Sequence, residues 1–189
     1  MKRTQSKKYS RNSSFPKTNL ERTVEWTGSI DQEMSNKISS KIKTLIRKDP
    51  HQNINLIITS PGGPTGVGMS FYDLMTKVIR PNLCTIGSGD VDSAAIIVFL
   101  AGQKRILTKN TTLLLHKAGR TFNSSKRFTT TEISSILKED TLKDNQYAAL
   151  LAQASKGKLS HARALRFMEK GMVLEPKEAL RFGLADQII

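Results

Sequence analysis

Residues 54–59, Ile-Asn-Leu-Ile-Ile-Thr, are nearly all apolar and stop at Ser60-Pro61-Gly62-Gly63. A run so short and so apolar, closed by turn-forming residues, has the pattern of a strand covered on both faces. Such strands occur in parallel sheets flanked by helices. The neighbouring sequence supplies those partners. Thr23-Val24-Glu25-Trp26-Thr27 alternates and reads as a first strand. Ile30, Met34, Ile38, Ile42 and Ile46 then recur every fourth residue, an apolar helical stripe that Asp49-Pro50 ends. Beyond the glycines, residues 64–79 place Val67, Phe71, Leu74, Met75 and Val78 on one helical face, with Pro64 suited to the first turn.

The alternation continues. Residues 83–86 read as a buried strand, 87–89 as a glycine turn, and 93–101 as a helix apolar enough to be buried nearly all round. Residues 105–107 and 113–115 are expected as short strands, and 120–126 as an exposed basic loop. A long helix over residues 131–154 carries Ile133, Ile136, Leu137, Tyr147, Leu150 and Leu151, but its centre, 138–145, is strongly polar. Helices over 160–168 and 176–182 follow, with Gly183 fitting a C-cap, and residues 185–189 close the chain as an apolar segment. Alternating strands and helices make this an α/β domain with mainly parallel strands.

The 189 residues suffice for one compact domain, read as residues 23–189 behind a basic tail, 1–22. The tail holds seven Lys and Arg against Glu21 alone, a net +6 that leaves +8 of the chain's +14 for the body. Few aromatics in the tail, and no helix of the body expected to carry a dense basic stripe, favour a solvated tail over a nucleic-acid contact. The single cysteine, Cys84, excludes an internal disulfide. No stretch approaches the roughly 18 apolar residues needed to cross a membrane, and no apolar segment follows the basic N-terminus to make a secretory signal. A cytoplasmic protein is the expectation.

Three weak chemical signals fall in order within residues 53–116. Ser93 opens the apolar helix after a glycine-rich strand end. A serine there is a good N-cap; alternatively it is a nucleophile at a helix start whose amides can serve an attacked carbonyl. Gly62-Gly63 is an ordinary turn by itself, but it ends a parallel strand, where ligands bind in open α/β sheets. His116 ends an apolar strand, unlike His51 and His161, which read as surface residues; it is either structural or a general base. Asp90 and Asp92 read as turn residues. Gly63-Pro64-Thr65-Gly66-Val67-Gly68 lacks the Lys-Ser/Thr of a phosphate loop. No Gly-x-Ser-x-Gly elbow is present, no metal-ligand spacing occurs, and no cofactor is implied.

In this order the residues resemble the proteolytic subunits of the Clp protease family, serine peptidases of the Clp/crotonase fold. The likeness runs from about residue 21 to 189. It rests on Ile57-Ile58-Thr59-Ser60-Pro61-Gly62-Gly63, then Gly68, Tyr72-Asp73 and Met75, then Gly89 before Ser93 and Ala101-Gly102 after it. Residues 113–116 and Glu178-Ala179-Leu180-Arg181-Phe182-Gly183-Leu184-Ala185-Asp186 complete it. The resemblance implies repeated ββα units with a long projecting helix after the histidine. It places Ser93 on the family's nucleophile, His116 on its general base, and Gly63 and Ala94 on the backbone amides of its oxyanion hole. It implies a homo-oligomer of heptameric rings, stacked in pairs through the long helix, an AAA+ unfoldase ATPase as partner, and unfolded protein or peptide as substrate.

The sequence departs from the family's pattern at the triad aspartate. Counted back from residues 183–186 that position is Gly171; counted forward from Gly157 it is Lys170. Neither is acidic, and Glu169 lies nearby. Asp90 and Asp92 stand where the family has small or uncharged residues, and Lys117-Ala118-Gly119-Arg120 replaces its usual Gln-Pro and glycine-rich strand. A serine endopeptidase subunit is therefore the leading expectation. A catalytically inactive ring subunit and a crotonase-fold hydratase of acyl thioesters are the alternatives.

Overall fold

A computed structural model describes residues 19–122 and 125–189. The expected tail lies outside these residues except for its last four. Five parallel strands form the main sheet: β1 (Thr23–Thr27), β2 (Ile54–Ser60), β3 (Leu83–Val91), β4 (Lys104–Leu107) and β7 (Gln187–Ile188), side by side in that order. β5 (Leu113–Leu115) and β6 (Met172–Leu174) pair antiparallel in a separate ribbon. The helices are α1 (Gln32–Lys48), α2 (Thr65–Asp73), α3 (Ala94–Phe99), α4 (Thr130–Ala154), α5 (His161–Glu169) and α6 (Pro176–Arg181). The architecture is the expected α/β one. Every residue of α3 is buried, as its uniformly apolar sequence requires. Trp26 of β1 meets Phe71 of α2 edge to face, with ring centroids 5.2 Å apart, and locks helix to sheet.

β3 runs straight through Gly87-Ser88-Gly89, where the sequence suggests a turn. The reason is close packing. A Cβ at Gly87 would lie 2.7 Å from Leu107 Cδ2 and 3.0 Å from Val91 Cγ2, so only glycine lets the strand pass. Past a register shift between Ile58 and Ser60, Val91 pairs with Ser60 and carries β3 toward the nucleophile position.

The helix expected over 64–79 is two pieces. Pro64 is the N-cap of α2, and at Leu74–Ile79 the backbone widens into a π-helical segment. That change moves the phase of later residues. Phe71 and Met75 stay buried, but Val78, expected on the core face, is 72% exposed. β6 and β7, of three and two residues, have no counterpart in the sequence reading. α1 also departs from expectation. Lys37, Lys41, Lys43, Arg47 and Lys48 are all exposed, against Glu33 alone, and none joins an ion pair among the described residues. The body does bear one dense basic helix face.

Two arginines stitch the body. Arg22, buried, donates to the carbonyls of Leu45, Asp49, Gln52 and Asn53, closing the C-terminal end of α1 against the start of β2. Arg105 of β4 meets Asp186 at 3.1 Å and donates to the carbonyl of Ala154 at the end of α4. α4 opens with a capping box between Thr129 and Glu132. Tyr147, Ala148, Leu150 and Leu151, in its last third, are buried; Ile133, Leu137 and Leu142 are 55%, 68% and 54% exposed.

Candidate active site

Ser93 occupies the step between β3 and α3 with φ 54° and ψ −123°. Few non-glycine residues adopt such a backbone, and it persists only where neighbours fix it. They do so here. The Ser93 amide donates to the Leu114 carbonyl at 2.8 Å, the preceding Asp92 amide donates to the Ser60 carbonyl at 3.0 Å, and the Tyr147 hydroxyl donates to the Ser93 carbonyl at 2.9 Å. Gly62 supports the step from below: a Cβ there would lie 2.7 Å from Ser93 Cβ and 2.8 Å from the Asp92 carbonyl. The Ser93 hydroxyl makes no capping bond to α3. Its position is that of a capping residue, but its side chain is left for other work.

Two backbone amides of this region, Gly63's and that of the residue after Ser93, are unclaimed. Among the described residues neither the Gly63 N–H nor the Ala94 N–H donates a hydrogen bond. Gly63 is pressed against α1's approach, a Cβ there falling 2.3 Å from the Ile30 carbonyl oxygen, so a side chain could not occupy the position. Two free amides are the groups that can hold the negative oxygen of a tetrahedral adduct.

His116 leaves the end of β5 half-buried. Its Nδ1 lies 2.7 Å from the Lys117 carbonyl oxygen. A carbonyl only accepts, so Nδ1 carries the hydrogen and Nε2 presents its lone pair, the tautomer a general base needs. No hydrogen bond joins the ring to Ser93 in the described residues. Both side chains line one cavity of about 390 Å³, shared with Gly63, Arg120, Asp140 and Lys143. Arg120, exposed in a loop as expected, is also bound to α4: its Nε donates to both Asp140 oxygens at 2.9 and 3.0 Å, and it also pairs with Glu139. The Lys143 ammonium and then Arg120 hold the Glu139 carboxyl down at about 2. The cations around the cavity are thus matched by carboxylates.

The β5–β6 ladder shows which residue stands opposite His116. Leu113, Leu114 and Leu115 face Leu174, Val173 and Met172, so the next residues in register are His116 and Gly171. Of the two counts, the one that ends on Gly171 falls opposite His116, and the one that ends on Lys170 falls one residue beyond. Gly171 has φ +60°, and a Cβ there would meet nothing within 4 Å. Glu169 does not substitute for an aspartate: its carboxylate pairs with Lys117 Nζ at 3.4 Å. The Lys117 carbonyl takes the place on Nδ1 where a carboxylate would stand. Asp90 is exposed and faces Thr112, whereas the Asp92 carboxylate accepts the Leu114 amide at 2.8 Å. Burial pushes the Asp92 carboxyl up from its ordinary range, against the pull of that amide. Tyr147 escaped the sequence reading as anything but core. The signal was available, since a tyrosine on a buried helical face needs a partner for its hydroxyl. Among the described residues no group of three or more His, Cys, Asp or Glu could hold a metal.

The family model described as Clp protease matches residues 6–189. The ATP-dependent Clp protease proteolytic subunit of Deinococcus radiodurans is 29% identical over 163 residues, covering 85% of this chain and 76% of that protein. Subunit 2 of the same name from Tropheryma whipplei is 28% identical over 172 residues, covering 89% and 92%. A solved structure of a ClpP1 mutant from Listeria monocytogenes superposes with a TM-score of 0.77 at 27% identity, covering 89% of this chain and 91% of that one.

Proposed function

The chain belongs to the Clp protease family, and we propose that Ser93 and His116 are the dyad with which it hydrolyses peptide bonds. It is a proteolytic subunit of the Clp type, a serine endopeptidase. In this reading Ser93 Oγ attacks the peptide carbonyl while His116 Nε2 takes its proton. The carbonyl oxygen, now negative, is held by the amides of Gly63 and Ala94. His116 returns the proton to the leaving amine, and water then repeats the sequence on the acyl-enzyme. The Lys117 carbonyl keeps the imidazole in the productive tautomer. One observation supports this assignment above the others: Ser93 is held in a strained backbone with an uncapped hydroxyl, while the amides of Ala94 and of Gly63, which lines the same cavity, are unclaimed. Each such amide is worth about 10²–10³ in rate where it has been removed from a serine peptidase.

Residues 23–189 form the peptidase domain in this reading, behind a basic segment 1–22. The family supports assembly into heptameric rings, an AAA+ unfoldase as partner and unfolded polypeptide as substrate. The exposed Ile133, Leu137 and Leu142 of α4 are apolar surface that a neighbouring subunit would cover. No helix of the described residues is long and apolar enough to cross a membrane, and a cytoplasmic location is part of the proposal. The test is hydrolysis of fluorogenic peptides and of unfolded casein by the assembled protein. Turnover that disappears in Ser93→Ala and in His116→Ala is expected; full turnover in Ser93→Ala overturns the assignment.

A further inference from the structure

Two pieces of chain must be held in register for a serine–histidine dyad to work: the step that carries Ser93 and the strand end that carries His116. They meet at one residue, Leu114. Its carbonyl accepts the Ser93 amide at 2.8 Å, and its amide donates to Asp92 Oδ1 at 2.8 Å. Consecutive residues of the nucleophile step thus grip both backbone polar groups of one residue of β5, two residues before the histidine. The Asp92 amide, bound to the Ser60 carbonyl, ties the same step back to β2. The side-chain half of this grip needs an acceptor at position 92. An apolar residue there would leave the Leu114 amide without it.

Asp92 also brings charge. The groups around it are His116 from β5, Tyr147 from α4 and Asp90 on its own strand. Asp90 is exposed, and the buried Tyr147 phenol is pushed up and stays neutral, first by burial and then by the Asp92 charge. Around His116 several charges are already matched: Lys117 with Glu169, Arg120 with Asp140 and Glu139, and Lys143 with Glu139. Asp92 has no cationic side-chain partner among the described residues, nor has Asp144, which accepts the Ala118 amide; Asp92 lies within electrostatic reach of the imidazole.

We propose that Asp92 is a positioning residue: it fixes the Ser93 step against the strand bearing His116 and supplies the negative charge that the family's triad carboxylate would bring. The work of that carboxylate is divided. The Lys117 carbonyl sets the tautomer, and Asp92 stabilises the imidazolium that forms when Ser93 is deprotonated. The proposal rests on the dyad reading of Ser93 and His116.

The test is the rate of Ser93 labelling by a fluorophosphonate as a function of pH, in the full-length assembled protein, for wild type, Asp92→Asn and Asp92→Ala. Asparagine keeps an acceptor for the Leu114 amide and removes the charge. Without that charge the imidazolium is less stable, so the rising limb of the profile moves to lower pH. The plateau falls about tenfold, well short of the roughly 10⁴ seen when a triad carboxylate in direct contact is neutralised. Asp92→Ala falls further because the grip is lost as well. Labelling of Asp92→Asn with the wild-type plateau and wild-type limb overturns the proposal. So does a lowered plateau with an unmoved limb, which is what a purely structural role gives. Wild-type protein that never labels at Ser93 overturns the dyad itself, a distinct failure. Thermal melting of Asp92→Asn alongside wild type separates lost chemistry from lost fold.

Discussion

Gly171 is one of the two positions where the resemblance counts a triad aspartate. It lies in register with His116, in the left-handed region with open space beyond its Cα, and aspartate is among the residues that tolerate that backbone. Gly171→Asp is therefore expected to raise kcat/KM for peptide hydrolysis by about tenfold or more, since a triad carboxylate contributes up to roughly 10⁴. Unchanged kinetics in a folded Gly171→Asp protein would show that the Lys117 carbonyl and Asp92 already supply what the carboxylate would. Ser93, His116 and the glycine turn could be singled out from sequence because each is a side-chain type at a strand end. The Lys117 carbonyl and the Leu114 peptide could not, because every residue has a backbone and only the fold says which backbone groups meet. Whether Glu169 or Gly171 faced the histidine was likewise a matter of one strand register, which residues 157–183 leave open until β5 and β6 pair.

Among the elements, those with the clearest apolar patterns were plain in the sequence: β1, α1, β2, α4. The π-helical extension of α2 was not, because the apolar spacing of Leu74, Met75 and Val78 suits a regular helix equally well, and the widened turn is chosen by packing. β3 through its glycines was hidden for a related reason. Glycine signals a turn when read alone and close packing when Leu107 and Val91 stand beside it. β7, two residues long, exists through its contact with β4, and the Arg105–Asp186 pair secures that junction. Burial pushes the Asp186 carboxyl up, but hydrogen bonds and charge from Arg105 outweigh it and hold it below the ordinary carboxylate value. A depressed folded-state pKa contributes stability that is present above the unfolded value, near pH 4, and lost as pH falls through the folded one. Arg105→Ala is expected to lower the unfolding free energy by about 3 kcal/mol, because it strands a partly buried carboxylate. It should also flatten the loss of stability below about pH 4. Urea melts of the two proteins at neutral and acid pH read both effects; a difference that persists undiminished in acid would assign the loss to packing alone.

For the molecule as a whole, charge and apolar surface are unevenly spread. The formal +14 is concentrated in residues 1–22 and on the exposed face of α1, while uncovered apolar side chains gather on the first two thirds of α4. The wet centre of that helix was legible as polarity at residues 138–145. That its apolar residues Ile133 and Leu137 would also face solvent was not, because periodicity reports an apolar stripe without saying what covers it. If neighbouring subunits cover it, Ile133→Asp with Leu137→Asp should leave the subunit folded by circular dichroism but reduce the assembly seen by analytical ultracentrifugation. An unchanged sedimentation coefficient would place the subunit contacts elsewhere. The catalytic assignment is tested most directly by intact-mass and peptide-mapping mass spectrometry after treatment with a fluorophosphonate. One adduct per chain, on Ser93, absent in Ser93→Ala and much slowed in His116→Ala, is the predicted result. No adduct on the assembled protein, or an adduct that survives Ser93→Ala, would contradict it.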